Sequence, residues 1–184
     1  MSEDLKRLYE KQGALDRYFD TEIPKDLYRG HKKGATYDLM QPTLLGFYTR
    51  PTTPRLPDVY VSAPDGKSSP QFTDATERVL VVDDRFGSLT AAMVANADKY
   101  MVQGCRTMSG QWRGVSLFDK KNERLRNHAW YKIPKGAEIP EALACTRDGP
   151  ADAPYPVHYT IAPKDDMPLS LFLQHLKVLT KQAV

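Results

Sequence analysis

The apolar positions of the chain recur at helical spacing near both of its ends. In residues 3–19 they are Leu5, Leu8, Tyr9, Leu15 and Phe19. In residues 167–182, where Pro168 stands in the first turn, they are Leu169, Phe172, Leu173, Leu176 and Leu179. Spacings of three and four residues place these side chains on one stripe of a helix. The pattern therefore predicts an amphipathic helix over each range, packed on a core.

Between these helices the pattern changes to short runs that are typical of strands. The runs lie at residues 27–30, 58–61, 78–82, 114–118, 130–133 and 157–162. They are rich in β-branched and aromatic residues, which fit a half-buried sheet surface. A further helix is expected over 88–100, with Ser88 as its N-cap. Strands in the middle of the chain and helices at its ends predict an α+β fold.

The connecting segments are polar or rich in proline. Residues 31–38 and 119–127 are predicted as connections, and six prolines fall between Gln41 and Pro70. Proline lacks an N–H group and restricts the residue before it, so long regular elements are not expected there. The sequence shows no internal repeat and no dividing linker. A single domain over residues 1–184 is the expectation for this length.

Composition narrows the class of protein. Hydrophobic residues make up 41% of the chain and charged residues 27%, which is near the globular average. The net charge of +3 is too small to indicate a nucleic-acid partner by itself. Cys105 and Cys145 form no metal-binding spacing, so we expect no metal and a reducing compartment. The acidic N-terminus lacks an apolar signal region, and no apolar run reaches membrane length, so a cytoplasmic location without a cleavable signal peptide is expected.

Several signatures of common enzyme classes are absent from the sequence. It contains no phosphate-binding P-loop, no G-x-G-x-x-G, no H-E-x-x-H and no G-x-S-x-G. Kinase, Rossmann dehydrogenase, zinc-peptidase and α/β-hydrolase functions are therefore disfavoured. A cysteine nucleophile would need a histidine near it in space, and a buried free cysteine usually acts as a small apolar residue.

Polar residues on predicted core strands are the remaining candidates for chemistry. Arg29 precedes Gly30, so its planar guanidinium suits a phosphate that approaches the backbone closely. An edge-strand arginine paired with a surface carboxylate is the simpler explanation of the residue taken alone. Ser116 and His158 also stand within strands, where each either serves a site or satisfies a hydrogen bond of the core. The residues alone leave these alternatives open.

Taken together, the motifs resemble a known family. They are Leu-Tyr-Arg at 27–29, Gly-Val-Ser-Leu-Phe-Asp at 114–119, I-P-x-G-x-x-I-P-x-x-L at 133–143, Asp148, and H-Y-T-I-x-P at 158–163. In order and content they are similar to bacterial type VI secretion toxins with an ADP-ribosyltransferase-like fold and to their fungal relatives. The resemblance covers residues 28–30 and 114–180. It implies a two-sheet β core with flanking helices.

The resemblance also implies roles for individual residues in a site for NAD. Arg29 and Gly30 match the first-strand position that contacts NAD, and Ser116, preceded by Val115, matches the serine strand that shapes the pocket. His158 corresponds to the histidine of the H-Y-T motif. The sequence departs from the wider fold at the late glutamate.

Fitting the turn at 133–136 to the strand of that glutamate places Trp130 or Tyr131 near its position. Either aromatic ring suits stacking on nicotinamide or simple core packing. The nearest carboxylates in sequence are Glu138 and Asp119. The expected catalytic residues are His158, Ser116 and Glu138.

The resemblance thus implies a cytotoxic, NAD-dependent mono-ADP-ribosyltransferase that acts in the cytosol of a target cell. Its expected partners are a protein or nucleic-acid target and an immunity protein. One alternative is a non-catalytic toxin that binds and occludes a partner on the same fold. Another is a transferase that modifies nucleic-acid ends, with phosphate contacts from Lys120, Lys121, Arg124 and Arg126, which otherwise form a solvated hairpin tip.

Overall fold

The two α-helices whose bounds the structure describes lie near the two ends of the chain. The computed structural model describes residues 5–36, 38–40, 47–49, 60–62, 78–81, 94–95, 97–99, 101–102, 114–165 and 167–184. Helix α1 spans Leu5–Lys11 and helix α2 spans Leu169–Lys181. Two short 3-10 helices lie at Leu15–Arg17 and Ala97–Lys99.

Eleven strands of the described residues form two antiparallel sheets. They are β1 Tyr18–Phe19, β2 Leu27–Lys32, β3 Phe47–Thr49, β4 Tyr60–Ser62, β5 Arg78–Val81, β6 Met101–Val102, β7 Val115–Phe118, β8 His128–Ile133, β9 Leu143–Arg147, β10 His158–Pro163 and β11 Met167–Pro168. The six-stranded sheet has the order β1-β9-β10-β7-β2-β8, and the five-stranded sheet has the order β11-β6-β4-β5-β3. The predicted α+β class with a two-sheet core is confirmed.

One face of the six-stranded sheet, the inner face, carries the main hydrophobic core. Side chains alternate between the faces of a strand. Accordingly Leu27, Leu117 and Ile161 are fully buried in one cluster, which also contains Leu169, Phe172, Leu176 and Leu179 of α2. The inner face therefore packs against the apolar stripe of α2, as the spacing in the last helix predicted.

The opposite, outer face is covered in part by α1. Leu5 and Tyr9 of the helix pack with Tyr18, Ala144 and Ala162 in a second cluster. The two alanines face each other across β9 and β10, and their small side chains leave room for the aromatic ring of Tyr9. Helix α1 thus covers the end of these strands that holds Ala144 and Ala162.

The first predicted helix, residues 3–19, is wrong beyond its second turn. Gly13 adopts φ = 64°, in the left-handed region. The Gly13 N–H donates to the Glu10 carbonyl and the Ala14 N–H donates to the Tyr9 carbonyl, which is the pattern of a Schellman helix end. The chain then turns into β1, so Leu15 is exposed and Phe19 belongs to a strand.

Other boundaries also differ from the prediction. Strand β2 continues to Lys32, into the segment predicted as a loop, and the last helix starts at Leu169 because Met167 and Pro168 pair with β6. Strand β9 was not predicted, since Leu-Ala-Cys-Thr-Arg carries little β-strand signal. Most of the predicted helix at 88–100 and the proline-rich segment at 41–70 lie outside the described residues.

Candidate functional site

A group of polar and aromatic side chains lies on the outer face, at the end of β10 that α1 leaves uncovered. His158 is the first residue of β10, and Thr160, two residues later, points to the same face. Asp148 follows β9 directly. Its Oδ2 atom is hydrogen-bonded to the Nδ1 atom of His158 and accepts a 2.7 Å hydrogen bond from the Thr160 hydroxyl. One carboxylate oxygen thus holds two side chains of the neighbouring strand.

Backbone pairing explains why Asp148 meets His158. Strands β9 and β10 are antiparallel, with Arg147 opposite Tyr159, and the Asp148 N–H donates to the His158 carbonyl over 2.9 Å. The side chains of His158 and Asp148 are 18% and 11% exposed. Asp148 Oδ1 is buried and accepts no hydrogen bond from a described residue. The pair is therefore largely shielded from water, and the Nε2 atom of His158 is itself buried.

Aromatic rings extend this group across the sheet. The Phe118 ring lies edge-on to the His158 imidazole, with centroids 5.3 Å apart, and edge-on to the Trp130 indole at 6.2 Å. Gly30 pairs with Trp130, and a Cβ atom added at Gly30 would lie only 3.2 Å from the indole ring. The missing side chain of Gly30 therefore makes room for the indole over the backbone of β2.

Ser116 completes the group. It lies directly opposite Thr160 on the neighbouring strand β7 and is half-buried. We call the following six residues the His158 cluster: Ser116, Phe118, Trp130, Asp148, His158 and Thr160. The structure thus brings Ser116, Trp130 and His158, three of the sequence-predicted site residues, to one face, with Gly30 beneath the indole.

The Arg29 side chain lies on the other face. Tyr28 pairs with Phe118, so Arg29 lies opposite Leu117 and shares the inner face with it. Arg29 is only 6% exposed; its Nε donates to the Leu39 carbonyl over 3.1 Å and its Nη1 to the Ser116 carbonyl over 2.9 Å. The arginine therefore contacts the backbone of Ser116, but its side chain does not share the face that carries the Ser116 and His158 side chains.

Val115 and Tyr131 also lie on the inner face. Val115 is fully buried in the main core. Tyr131 pairs with Arg29 and is exposed at the sheet edge, where its ring lies edge-on to the His31 imidazole with centroids 6.2 Å apart. The strand alternation of β8 thus separates Trp130 from Tyr131, which the sequence treated as equivalent candidates for stacking.

The two carboxylates proposed from the sequence have other surroundings. Glu138 is exposed in a bridge with Glu22; its N–H donates to Oε1 of Gln182, and Nε2 of Gln182 donates to its carbonyl. Both of these hydrogen bonds join Glu138 to the residue that follows α2, and neither joins it to the His158 cluster. Its catalytic role stays a prediction.

Asp119 supports the backbone at the end of β7. Its side chain is 3% exposed, its Oδ1 accepts a 2.8 Å hydrogen bond from the Val157 N–H, and its Oδ2 lies 3.2 Å from Nζ of Lys25. A buried carboxylate held by a backbone donor and a lysine ties the start of β10 to β7. These contacts indicate a structural role for Asp119.

The basic segment after β7 is not a hairpin tip. Strand β2 lies between β7 and β8 and is antiparallel to β8, and it pairs antiparallel with β7, so β7 and β8 run parallel. Residues 119–127 must therefore pass β2 from one end to the other. The side chains of Lys120, Lys121, Arg124 and Arg126 are exposed along this crossover. Topology, which the sequence did not reveal, corrects that interpretation.

The described cysteine is unsuited to nucleophilic chemistry. Cys145 is a free, fully buried residue in the main core. Burial raises the pKa of its thiol far above the ordinary value of 9.0, and the nearby charge of Asp148 acts in the same direction. The thiolate, which is the reactive form, is therefore disfavoured.

Asp148, Thr160 and Phe118 are site residues to which sequence reasoning assigned no role. A signal for Thr160 was present, because residues i and i+2 of a strand share a face with each other. Asp148 was named only as part of the family resemblance, because its position beside His158 depends on the pairing of β9, a strand that was not predicted. Within the described ranges, no three ligand side chains are grouped to hold a metal, and no helix is long and apolar enough to cross a membrane.

Comparison with families of known proteins gives a match. The model of the Tse2 ADP-ribosyltransferase toxin family matches residues 6–184, which is nearly the whole chain. Among proteins with curated functions, none is similar enough to match. The family match agrees with the resemblance seen in the sequence motifs and includes every residue of the His158 cluster.

Proposed function

The chain belongs to the Tse2 ADP-ribosyltransferase toxin family, and on that premise we propose that it transfers ADP-ribose from NAD to a target in the cytosol of the intoxicated cell. The observation that carries the location of the site is the convergence of Ser116, Trp130 and His158. These residues come from three separate segments of the chain and meet on one face of the sheet.

The chemistry of the cluster suits part of the NAD molecule. The half-buried rings of Phe118 and Trp130 offer an aromatic surface for the nicotinamide. The hydroxyl of Ser116 suits a hydroxyl group of the adjoining ribose, and the imidazole of His158 lies on the same face of the sheet. A largely shielded site also strengthens such polar contacts, because the local dielectric constant is low.

Arg29 fits this proposal as a residue that supports the site from the inner face of the sheet. Its guanidinium holds the carbonyls of Ser116 and Leu39 from the inner face, so it fixes the segment of β7 that presents the Ser116 side chain. The expectation that Arg29 itself contacts NAD stays a prediction.

The activity is tested with purified protein and NAD labelled in the adenosine half, alone and with a cell extract that supplies the acceptor. We expect nicotinamide release and transfer of label to an acceptor. Replacing one oriented group of such a site typically lowers the rate by about 10²–10³-fold, so His158→Ala is expected to show a loss of that order. His175→Ala is the matched control, because His175 is a half-buried histidine of α2 outside the cluster.

The same pair of variants tests toxicity. Expression of the protein inside cells is expected to arrest growth, and His158→Ala, but not His175→Ala, is expected to relieve that arrest at equal protein level. Thermal unfolding of both variants shows whether they remain folded.

Two results would favour the alternatives. If toxicity persists while neither the purified protein nor the extract releases nicotinamide, the protein acts as a non-catalytic binder. If the label appears on nucleic-acid ends, and neutral substitutions of Lys120, Lys121, Arg124 and Arg126 abolish that transfer, the basic crossover contributes to a nucleic-acid acceptor site.

A further inference from the structure

Asp148 is joined to His158 and to the strand of His158 by three hydrogen bonds. The carboxylate bonds the imidazole Nδ1 and the Thr160 hydroxyl, while the backbone N–H of the same residue bonds the His158 carbonyl. The Thr160 hydroxyl fixes the orientation of the carboxylate, and the backbone hydrogen bond fixes the position of Asp148 along strand β10. The imidazole is therefore held in one position by a carboxylate that is itself held by the Thr160 hydroxyl and by the backbone hydrogen bond of Asp148.

These contacts also determine which ring nitrogen of His158 carries the proton. An ionised carboxylate can only accept hydrogen bonds, so Nδ1 must be the donor. In the neutral imidazole the other nitrogen, Nε2, then carries a lone pair and acts as an acceptor. This atom is buried, so a reacting group must displace what covers it to reach the lone pair. The orientation and tautomer are those of a histidine poised to take a proton, with a carboxylate that stabilises the imidazolium formed.

We propose that His158, oriented by Asp148, is the general base that activates a hydroxyl group of the acceptor. This inference rests on the proposed transferase function and adds the class of acceptor to it. The His158 imidazole touches the reacting proton, whereas Asp148 acts through His158 and is a positioning residue. A hydroxyl group needs such a base because it is a weak nucleophile while it retains its proton.

The step is balanced as follows. The bond between the ribose C1′ carbon and the nicotinamide nitrogen breaks, and its electron pair neutralises the positive charge of the pyridinium ring. The acceptor oxygen forms a bond to C1′, and its proton moves to Nε2 of His158. The products are the O-linked ADP-ribosyl acceptor, neutral nicotinamide and an imidazolium that returns the proton to water.

The position of the carboxylates in the structure agrees with this assignment. The described contacts of Glu138 lie at the end of α2, and those of Asp119 are with Lys25 and the Val157 backbone. Among the described residues, Asp148 is the acidic member of the His158 cluster, in which it bonds His158 and Thr160. The carboxylate in the site thus acts on the histidine.

The first test measures the tautomer directly. The imidazole of His158 is observed by ¹⁵N NMR in the full chain and in Asp148→Asn. We expect the Nδ1–H form in the native protein and a shift toward the Nε2–H form in the variant, because an asparagine amide can donate to Nδ1. Asp152→Asn, which changes an exposed aspartate of the same β9–β10 connection, is expected to leave the spectrum unchanged. A native His158 in the Nε2–H form would overturn the assignment.

The second test separates positioning from folding. General-base catalysis contributes about 10²–10⁴-fold, so Asp148→Asn is expected to lower kcat for transfer within that range while the Kd for NAD and the unfolding midpoint stay close to native. Thr160→Val, which loses one hydrogen bond to the carboxylate, is expected to have a smaller effect in the same direction. An unchanged kcat in Asp148→Asn would overturn the proposal.

The product tests the acceptor class. A bond to a hydroxyl group resists neutral hydroxylamine, whereas an ester bond to a carboxylate is cleaved by it. We expect resistant product, and a cleaved product would overturn the hydroxyl assignment. Absence of any NAD turnover in the native protein would refute the proposed function instead, and the NMR result would then still report whether Asp148 sets the tautomer.

Discussion

Replacing Arg29 by alanine is expected to destabilise the protein strongly. Its guanidinium donates one hydrogen bond to the Leu39 carbonyl and one to the Ser116 carbonyl, and the residue is almost fully buried. The substitution removes both donors, so the carbonyl groups of Leu39 and Ser116 lose the hydrogen bonds that Arg29 donates. Strand β2 then loses a side-chain connection to β7 that is independent of the ladder of backbone hydrogen bonds.

The magnitude follows from these two bonds. A hydrogen bond to a charged group contributes about 1.5–3 kcal/mol, and a buried acceptor left without a donor loses roughly 1–3 kcal/mol. Removing the buried cation returns part of this loss, because a charge no longer has to leave water. We expect a net decrease in the free energy of unfolding of about 3 kcal/mol. Arg29→Lys is expected to fall between alanine and the native protein, because one ammonium group cannot reproduce the planar fork.

Urea unfolding followed by circular dichroism measures this loss. With an m-value of about 2 kcal/mol/M, a loss of about 3 kcal/mol lowers the midpoint by roughly 1.5 M. NAD affinity is then measured without urea, at a temperature at which the variant is folded. An unchanged midpoint together with lost NAD affinity would refute the structural reasoning and would show that Arg29 acts as a ligand contact.

Three further predictions concern the frame of the site. Gly114→Ala is expected to disrupt pairing of β7 with β10 and to lower the thermal midpoint, because the added Cβ would collide with the backbone of Ile161, lying 2.7 Å from its carbonyl carbon; an unshifted midpoint would contradict this. Asp119→Ala is expected to destabilise by about 2–3 kcal/mol through the unpaired Val157 N–H, whereas Asp119→Asn keeps an acceptor and is expected to cost less; a loss of nicotinamide release in Asp119→Asn without loss of stability would instead indicate catalysis. Burial raises the pKa of Cys145 above its ordinary value of 9.0, so above about pH 9 the thiol ionises in the unfolded chain but not in the folded protein. The contribution of the buried thiol to the free energy of unfolding is therefore complete below about pH 9 and is lost as the pH rises above it. Urea midpoints from pH 8 to about pH 10.5 are expected to fall, and less steeply in Cys145→Ala, with equal slopes refuting the linkage.

Local patterns were sufficient for the last helix and for six of the eleven described strands, but not for β1, β3, β6, β9 and β11. The spacing of Leu169, Phe172, Leu176 and Leu179 predicted the face of α2 that the core now buries, and the runs at 27–30, 114–118, 130–133 and 157–162 all lie on observed strands. Such elements are encoded locally because amphipathic periodicity depends only on neighbouring residues. The early end of α1 was also encoded, by Gly13, but apolar residues beyond the glycine hid it.

The sequence by itself determined the candidate site segments, which are the strands of Ser116 and His158 and the Gly30 backbone. It also determined membership in a toxin family whose model spans residues 6–184. Only the tertiary structure decided which side chains share a surface. Antiparallel register between strands far apart in sequence places the Arg29 side chain on the inner face and those of Trp130 and Ser116 on the outer face. It also places Asp148 beside His158. A shift of one residue in any of these pairings would exchange the faces. Register is set by long-range burial of Leu27, Leu117 and Ile161 in a common core, and no local pattern contains that information.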